Sequence, residues 1–133
     1  MWRTVASIFA GLAAWAVIVT ILNFGLRAAL PGYHAAEATL DFTLAMKIGR
    51  LTEAALTSVA AGAVVGWIAR SKTWAAWVTG LIVLALFLPE HVKLWSTFPV
   101  WYHLTFLIPI VPLFALGALL QMRIRDRSAI AQA

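Results

Sequence analysis

Residues 88–106 read LPEHVKLWSTFPVWYHLTF. A glutamate, two histidines and a lysine stand here among aromatic side chains, between two long apolar runs. Such a segment is either a chemical site or the wet end of a membrane hairpin, and length decides first where it lies. A helix needs about 20 apolar residues to cross ~30 Å of hydrocarbon. One running only from Trp74 to Leu88 would cover about 22 Å. The helix therefore continues through Pro89, which places Glu90 and His91 in its last turns, near a membrane boundary. The next helix opens at Pro99, a residue suited to a first turn, and carries His103 about 6 Å along its axis. The two histidines are thus expected at the same depth on adjacent helices. Trp95, Phe98, Trp101 and Tyr102 form the aromatic belt expected at a lipid–water boundary.

Working outward, the same length argument sets four spans, at about residues 5–27, 44–69, 74–95 and 99–122. The first is longer than the apolar core of a signal peptide and reads as a retained span. Composition agrees. Of 133 residues, 63% are hydrophobic and 11% charged, against roughly 45–50% and ~25% in soluble domains. There is no cysteine, which excludes disulfide and thiolate chemistry. The expected fold is all-α: a polytopic membrane protein built as an antiparallel four-transmembrane-helix bundle in one domain, residues 1–127, with a frayed tail at 128–133. Short connections make successive spans antiparallel.

The net charge of +5 is a topological signal, and nucleic acid is not an expected partner, because no exposed basic domain is present to carry it. One side holds Arg3, Arg70, Lys72, Arg123, Arg125 and Arg127 against Asp126. The other holds Arg27, Glu37 and Asp41, then Glu90 and Lys93. The basic side is the cytoplasmic one by the positive-inside rule, so both termini are expected in the cytoplasm of a bacterial cell, with the chain multi-pass in its inner membrane. Lipid is the expected solvent, and a homo-oligomer or a larger membrane complex the candidate assembly. Small residues supply the packing surfaces: Ser58, Gly62 and Gly66 on span two, and Ala6, Ala10 and Ala14, with Gly11 beside them, on span one. Close packing, not apolar burial, holds helices together in lipid. Pro109 and Pro112 free the carbonyls of Thr105 and Ile108 and favour a kink in span four.

Span two brings further charge to the outer layer. Its apolar part is short, so the helix starts early and carries Lys47, Arg50 and Glu53, with Lys47 and Glu53 about 60° either side of Arg50. The Arg50 face continues through Ala54, Thr57 and Ala61 and is expected to point inward. A charge in hydrocarbon costs at least ~2.5–3.5 kcal/mol on insertion scales, so Arg50 calls for a partner, with Glu53 or Glu90 the expected one. Asn23 lies near the same level. The candidate ligand-binding set is therefore Arg50, Glu53, Glu90, His91, His103, Lys47, Tyr102 and Asn23. A weak repeat, LPGYH at 30–34 and LPEH at 88–91, suggests two related hairpins.

No catalytic constellation emerges. The histidine spacing matches no helix-borne zinc motif, no cofactor is favoured, and any metal would fall to His91, His103 and Glu90. The reading is a binding or accessory subunit whose periplasmic pocket of arginine, glutamate and histidine contacts a partner, a lipid or a small ligand. A homo-oligomeric transporter of small solutes or ions is the alternative, and a metal-dependent membrane enzyme the third.

Overall fold

The computed structural model describes residues 1–70 and 72–132. It is all-helical: α1 (Trp2–Ala29), α2 (Tyr33–Thr39), α3 (Leu44–Ala69), α4 (Trp74–Lys93) and α5 (Val100–Ala131), with no strand among the described residues. Every helix except α2 is long and apolar enough to cross a membrane. Their outward faces carry large apolar side chains in the open, among them Ile21, Phe24, Leu56, Leu86 and Ile108. Water would penalise that surface and lipid does not, which makes this a multi-pass membrane protein.

α3 is the central element and packs on each of the other long helices, most extensively on α5. The cause is in its small residues. A Cβ added to Gly62 would collide with the backbone of Phe114, and one added to Gly66 would lie 2.7 Å from the Cα of Ala118. From the other side, a Cβ on Gly117 would strike the carbonyl of Val59. Backbone therefore rests on backbone along this seam. The glycine stripe of α3 is consumed inside the molecule. On α1 the inward seam is Thr4, Ser7 and Gly11; Ala6 and Ala10 are only partly buried. Gly11 sits against Val65 of α3 and Thr79 of α4. Thr79 and Ser7 spend their hydroxyls on carbonyls of their own helices, so neither leaves a buried donor unmet.

The structure adds to the sequence reading in one place and departs from it in three. The connection after α1, to which the sequence reading assigned no element, holds a helix. Gly32, at φ 79°, turns the chain into the short helix α2. α4 does run through Pro89, but ends at Lys93 rather than Trp95. α5 continues helical to Ala131, so residues 128–131 belong to the helix and not to a frayed tail; Ala133 lies outside the described residues. The two Leu-Pro stretches are not structurally alike: residues 30–34 form a turn and open α2, whereas residues 88–91 lie within α4. α5 stays helical through Pro109 and Pro112.

The backbone seam can be tested by filling it. Gly62→Ala and Gly117→Ala should each destabilise the bundle by about 1–3 kcal/mol, the usual cost of overpacking. Gly25→Ala has open space around its Cβ and should change stability by less than about 0.5 kcal/mol. Unfolding of the detergent-purified variants by titration with a denaturing detergent measures both.

Candidate functional site

The register of α3 on α5 builds the site. The 52-position offset that pairs Arg50 with Tyr102 also pairs Gly62 with Phe114 and Gly66 with Ala118. Fixing the seam therefore fixes what Arg50 meets one end up. Its Nε donates to the Tyr102 hydroxyl at 3.1 Å. Its Nη1 donates to the Tyr33 hydroxyl at 2.9 Å. The guanidinium carbon lies 4.7 Å from the centroid of the Phe42 ring, a cation–π contact. The Ala54, Thr57 and Ala61 face below it is buried, as the helical spacing implies.

Arg50 therefore has neutral partners. Among the described residues it makes no ion pair with any carboxylate, which corrects the expectation of Glu53 or Glu90. Glu90 is taken by Lys93 at 2.8 Å, and both side chains are exposed. Glu53 lies on the side of α3 that faces α1, where it lines a cleft with Asn23 and Arg27. It is buried, and its Oε1 has no hydrogen-bond partner among the described residues. Two phenols arriving from α2 and α5 occupy the guanidinium instead. Burial pushes the Tyr33 hydroxyl above its ordinary value, against the pull of Arg50, so it remains an uncharged acceptor.

Tyr33 is the keystone that the sequence reading missed. It is fully buried, accepts from Asn23 Nδ2 at 3.2 Å as well as from Arg50, and packs with Phe42, Met46, Phe98 and Tyr102. An ion pair holds its helix down: Arg27 Nε donates to Glu37 Oε2 at 2.7 Å. Burial alone would raise the Glu37 carboxyl, but hydrogen bonds from Arg27 and His34 outweigh it and hold the group below the usual carboxylate range. The signal available in the sequence was a tyrosine immediately after Pro31-Gly32 and a phenylalanine immediately before Thr43. Aromatics placed in an otherwise polar connection indicate that the connection is tucked in.

The histidines meet as their depths imply. His91 Nδ1 and His103 Nδ1 are 2.8 Å apart, so one ring donates and the other accepts. Trp95 stacks on His103, centroids 4.7 Å apart and planes 14° from parallel. Phe106 lies 4.5 Å from the His91 ring. His103 is fully buried, and its Nε2 has no hydrogen-bond partner among the described residues. Because the Nδ1 atoms face each other and Glu90 is engaged by Lys93, no group of three metal-binding side chains forms among the described residues.

Two clefts flank this cluster. One, of about 250 Å³, is lined by Arg50, Glu90, His91, Tyr102 and His103 with Phe87, Leu94, Phe98 and Phe106. The other, of about 340 Å³, is lined by Thr20, Asn23, Arg27, Arg50 and Glu53 with apolar neighbours on α1. Arg50 borders both. Of the residues singled out from sequence, only Lys47 lines neither cleft and makes no side-chain hydrogen bond or ion pair among the described residues. No family model, no curated protein and no solved structure matches the chain.

The cluster carries a stability signature of its own. Tyr33→Phe removes the acceptor of both Arg50 and Asn23 and should cost about 1–3 kcal/mol, the penalty of leaving buried donors unmade. Replacing the network with apolar groups, as in Tyr33→Phe, Tyr102→Phe and Arg50→Met together, should cost less than Tyr33→Phe alone, because Asn23 is then the one donor that loses its acceptor and the guanidinium is no longer left short of one. Denaturing-detergent titration of both variants checks the inversion.

Proposed function

We propose that this chain is a small bacterial inner-membrane protein, an antiparallel four-span bundle with both termini cytoplasmic. It acts as a binding or accessory subunit whose periplasmic pocket takes up an anionic group carried by a partner subunit, a lipid or a small ligand. The antiparallel arrangement is supported by which ends meet. Arg3, at the start of α1, donates to the carbonyl of Ile68 near the end of α3. His91 near the end of α4 meets His103 near the start of α5. The orientation rests on the arginines gathered at the terminal side.

One observation carries the binding reading. Arg50 is a half-buried cation held by two neutral phenols, with no carboxylate in ion-pair contact, and it borders two clefts. A charge in that setting retains most of its attraction for an anion, because a low-dielectric surrounding weakens screening. A network built only for stability would supply the missing carboxylate, since unpaired buried charge is costly. His91, His103 and Asn23 add hydrogen-bonding capacity beside it, and Glu53 faces the second cleft. Transport across the full thickness gains no such support. Toward the termini, the buried hydroxyls of Ser7, Ser58 and Thr79 all bond to carbonyls of their own helices, and among the described residues the Thr57 hydroxyl is the buried one left without a partner.

Native mass spectrometry of wild-type and Arg50→Gln protein, released from mild detergent, tests the pocket. Wild type should retain an anionic adduct or a partner chain. Arg50→Gln should lose it while remaining helical and monodisperse. A bare monomer in both samples overturns the assignment.

Orientation is tested separately. The chain has no cysteine, so Ala35→Cys in α2 and Ser128→Cys in α5 are clean single-site reporters. A membrane-impermeant maleimide added to intact cells should label the first and spare the second; the reverse pattern inverts the topology.

A further inference from the structure

A third charged cleft lies at the opposite end of the bundle, on the side of the chain termini. It holds about 630 Å³ and is lined by Arg3, Trp67, Ile68, Arg70 and Arg125. Its three arginines come from three different elements: the first turn of α1, the residue capping α3 and the last turns of α5. Each therefore arrives by a separate route, and the bundle itself brings them together. Two are oriented by backbone. Arg3 Nη2 donates to the carbonyl of Ile68 at 3.3 Å, and Arg125 Nη2 donates to the carbonyl of Arg70 at 3.3 Å. Both acceptors belong to the C-terminal end of α3.

The bland explanation is that these arginines satisfy that helix end. Magnitudes argue against it as a full account. A helix C-terminus presents about half a negative charge, and three guanidiniums far exceed it. No carboxylate makes up the difference: among the described residues neither Arg3, Arg70 nor Arg125 has an ion-pair partner, and Asp126 beside them is exposed and pairs with none. Each arginine also has five N–H donors, and the two that are engaged spend a single contact each on backbone. Arg70 adds a further sign. It adopts φ 61° at the cap of α3, a backbone setting that glycine takes most readily. The chain holds an arginine there at a steric cost.

We propose that Arg3, Arg70 and Arg125 form a binding site for the phosphate group of an anionic phospholipid in the leaflet that holds the chain termini. The guanidinium forks match phosphate oxygens in geometry and charge. The setting selects a lipid over a free ion: Trp67 is exposed beside the arginines, as amphipathic indoles are at the headgroup level. A head group seated among the arginines leaves its acyl chains to run down the apolar flank of α3. This site is separate from the Arg50 pocket, and its proof or failure does not bear on that reading.

The test uses the full chain reconstituted in nanodiscs containing equal amounts of phosphatidylglycerol and phosphatidylcholine, followed by native mass spectrometry. Wild type should retain phosphatidylglycerol in clear excess over phosphatidylcholine. Each neutralising change among Arg3→Gln, Arg70→Gln and Arg125→Gln should weaken that retention about fivefold. The corresponding lysine variants, which keep the charge and lose the fork, should fall between. Arg123→Gln, on the same helix but outside the cleft, should leave retention unchanged, and this guards against a general loss of surface charge. Equal retention of the two lipids, or glutamine variants that retain phosphatidylglycerol as wild type does, overturns the proposal. So does displacement of the lipid by millimolar inorganic phosphate, which would make the site one for the free ion. Circular dichroism of each variant confirms that the helices persist.

Discussion

Everything in this molecule is hung on the direct contact between the backbones of α3 and α5. Glycines at 62, 66 and 117 remove the side chains that would hold the two helices apart, and in lipid such closeness is the main source of association between helices. A contact of backbone on backbone admits little sliding. It therefore works as a ruler: once Gly62 is seated on Phe114, Arg50 must arrive beside Tyr102, three turns away. The polar layer is precise because an apolar seam beneath it is rigid.

That layer is an unusual compromise. A buried arginine is commonly matched with a carboxylate, and this chain has two within reach along the sequence. Neither is used. Glu90 bonds to Lys93 near the surface, Glu53 keeps an unbonded oxygen toward α1, and Arg50 rests on two phenols and the face of Phe42. Phenol hydroxyls supply direction without cancelling charge. The arrangement orients a cation without an ion pair, and Glu53 lines one of the clefts beside it. Arg3 and Arg125 at the other end are likewise oriented by neutral groups, with carbonyl oxygens in place of phenols.

Much of this was legible in the sequence, and the limits have physical reasons. The four long helices followed from hydropathy and length, which report the bilayer rather than tertiary contacts. The continuation of α4 through Pro89 followed from a distance that a shorter helix could not cover. The meeting of His91 and His103 followed from depth alone, since a tight hairpin leaves little freedom. What depth could not supply was azimuth: Arg50 was placed at the right level but given the wrong partner, because choosing between Glu53, Glu90 and a tyrosine requires knowing which way each helix is turned. α2 was hidden for a related reason. It has only seven residues, too few to build an apolar period, and its buried side chains are one tyrosine and the small Ala36. The inward seam of α1 was misjudged by one step around the helix, since Ala6 and Ala10 are as small as Ser7 and Gly11 and composition does not rank them.

Arg50 borders a cleft on each of two sides, and this makes the two spaces electrically inseparable. One fixed positive charge cannot be satisfied twice. A negative group settling against it from the α4–α5 side lowers its pull on anything approaching past α1, with no helix needing to move. Any communication between the two faces would run through this single side chain, which lines both clefts, over the width of one guanidinium.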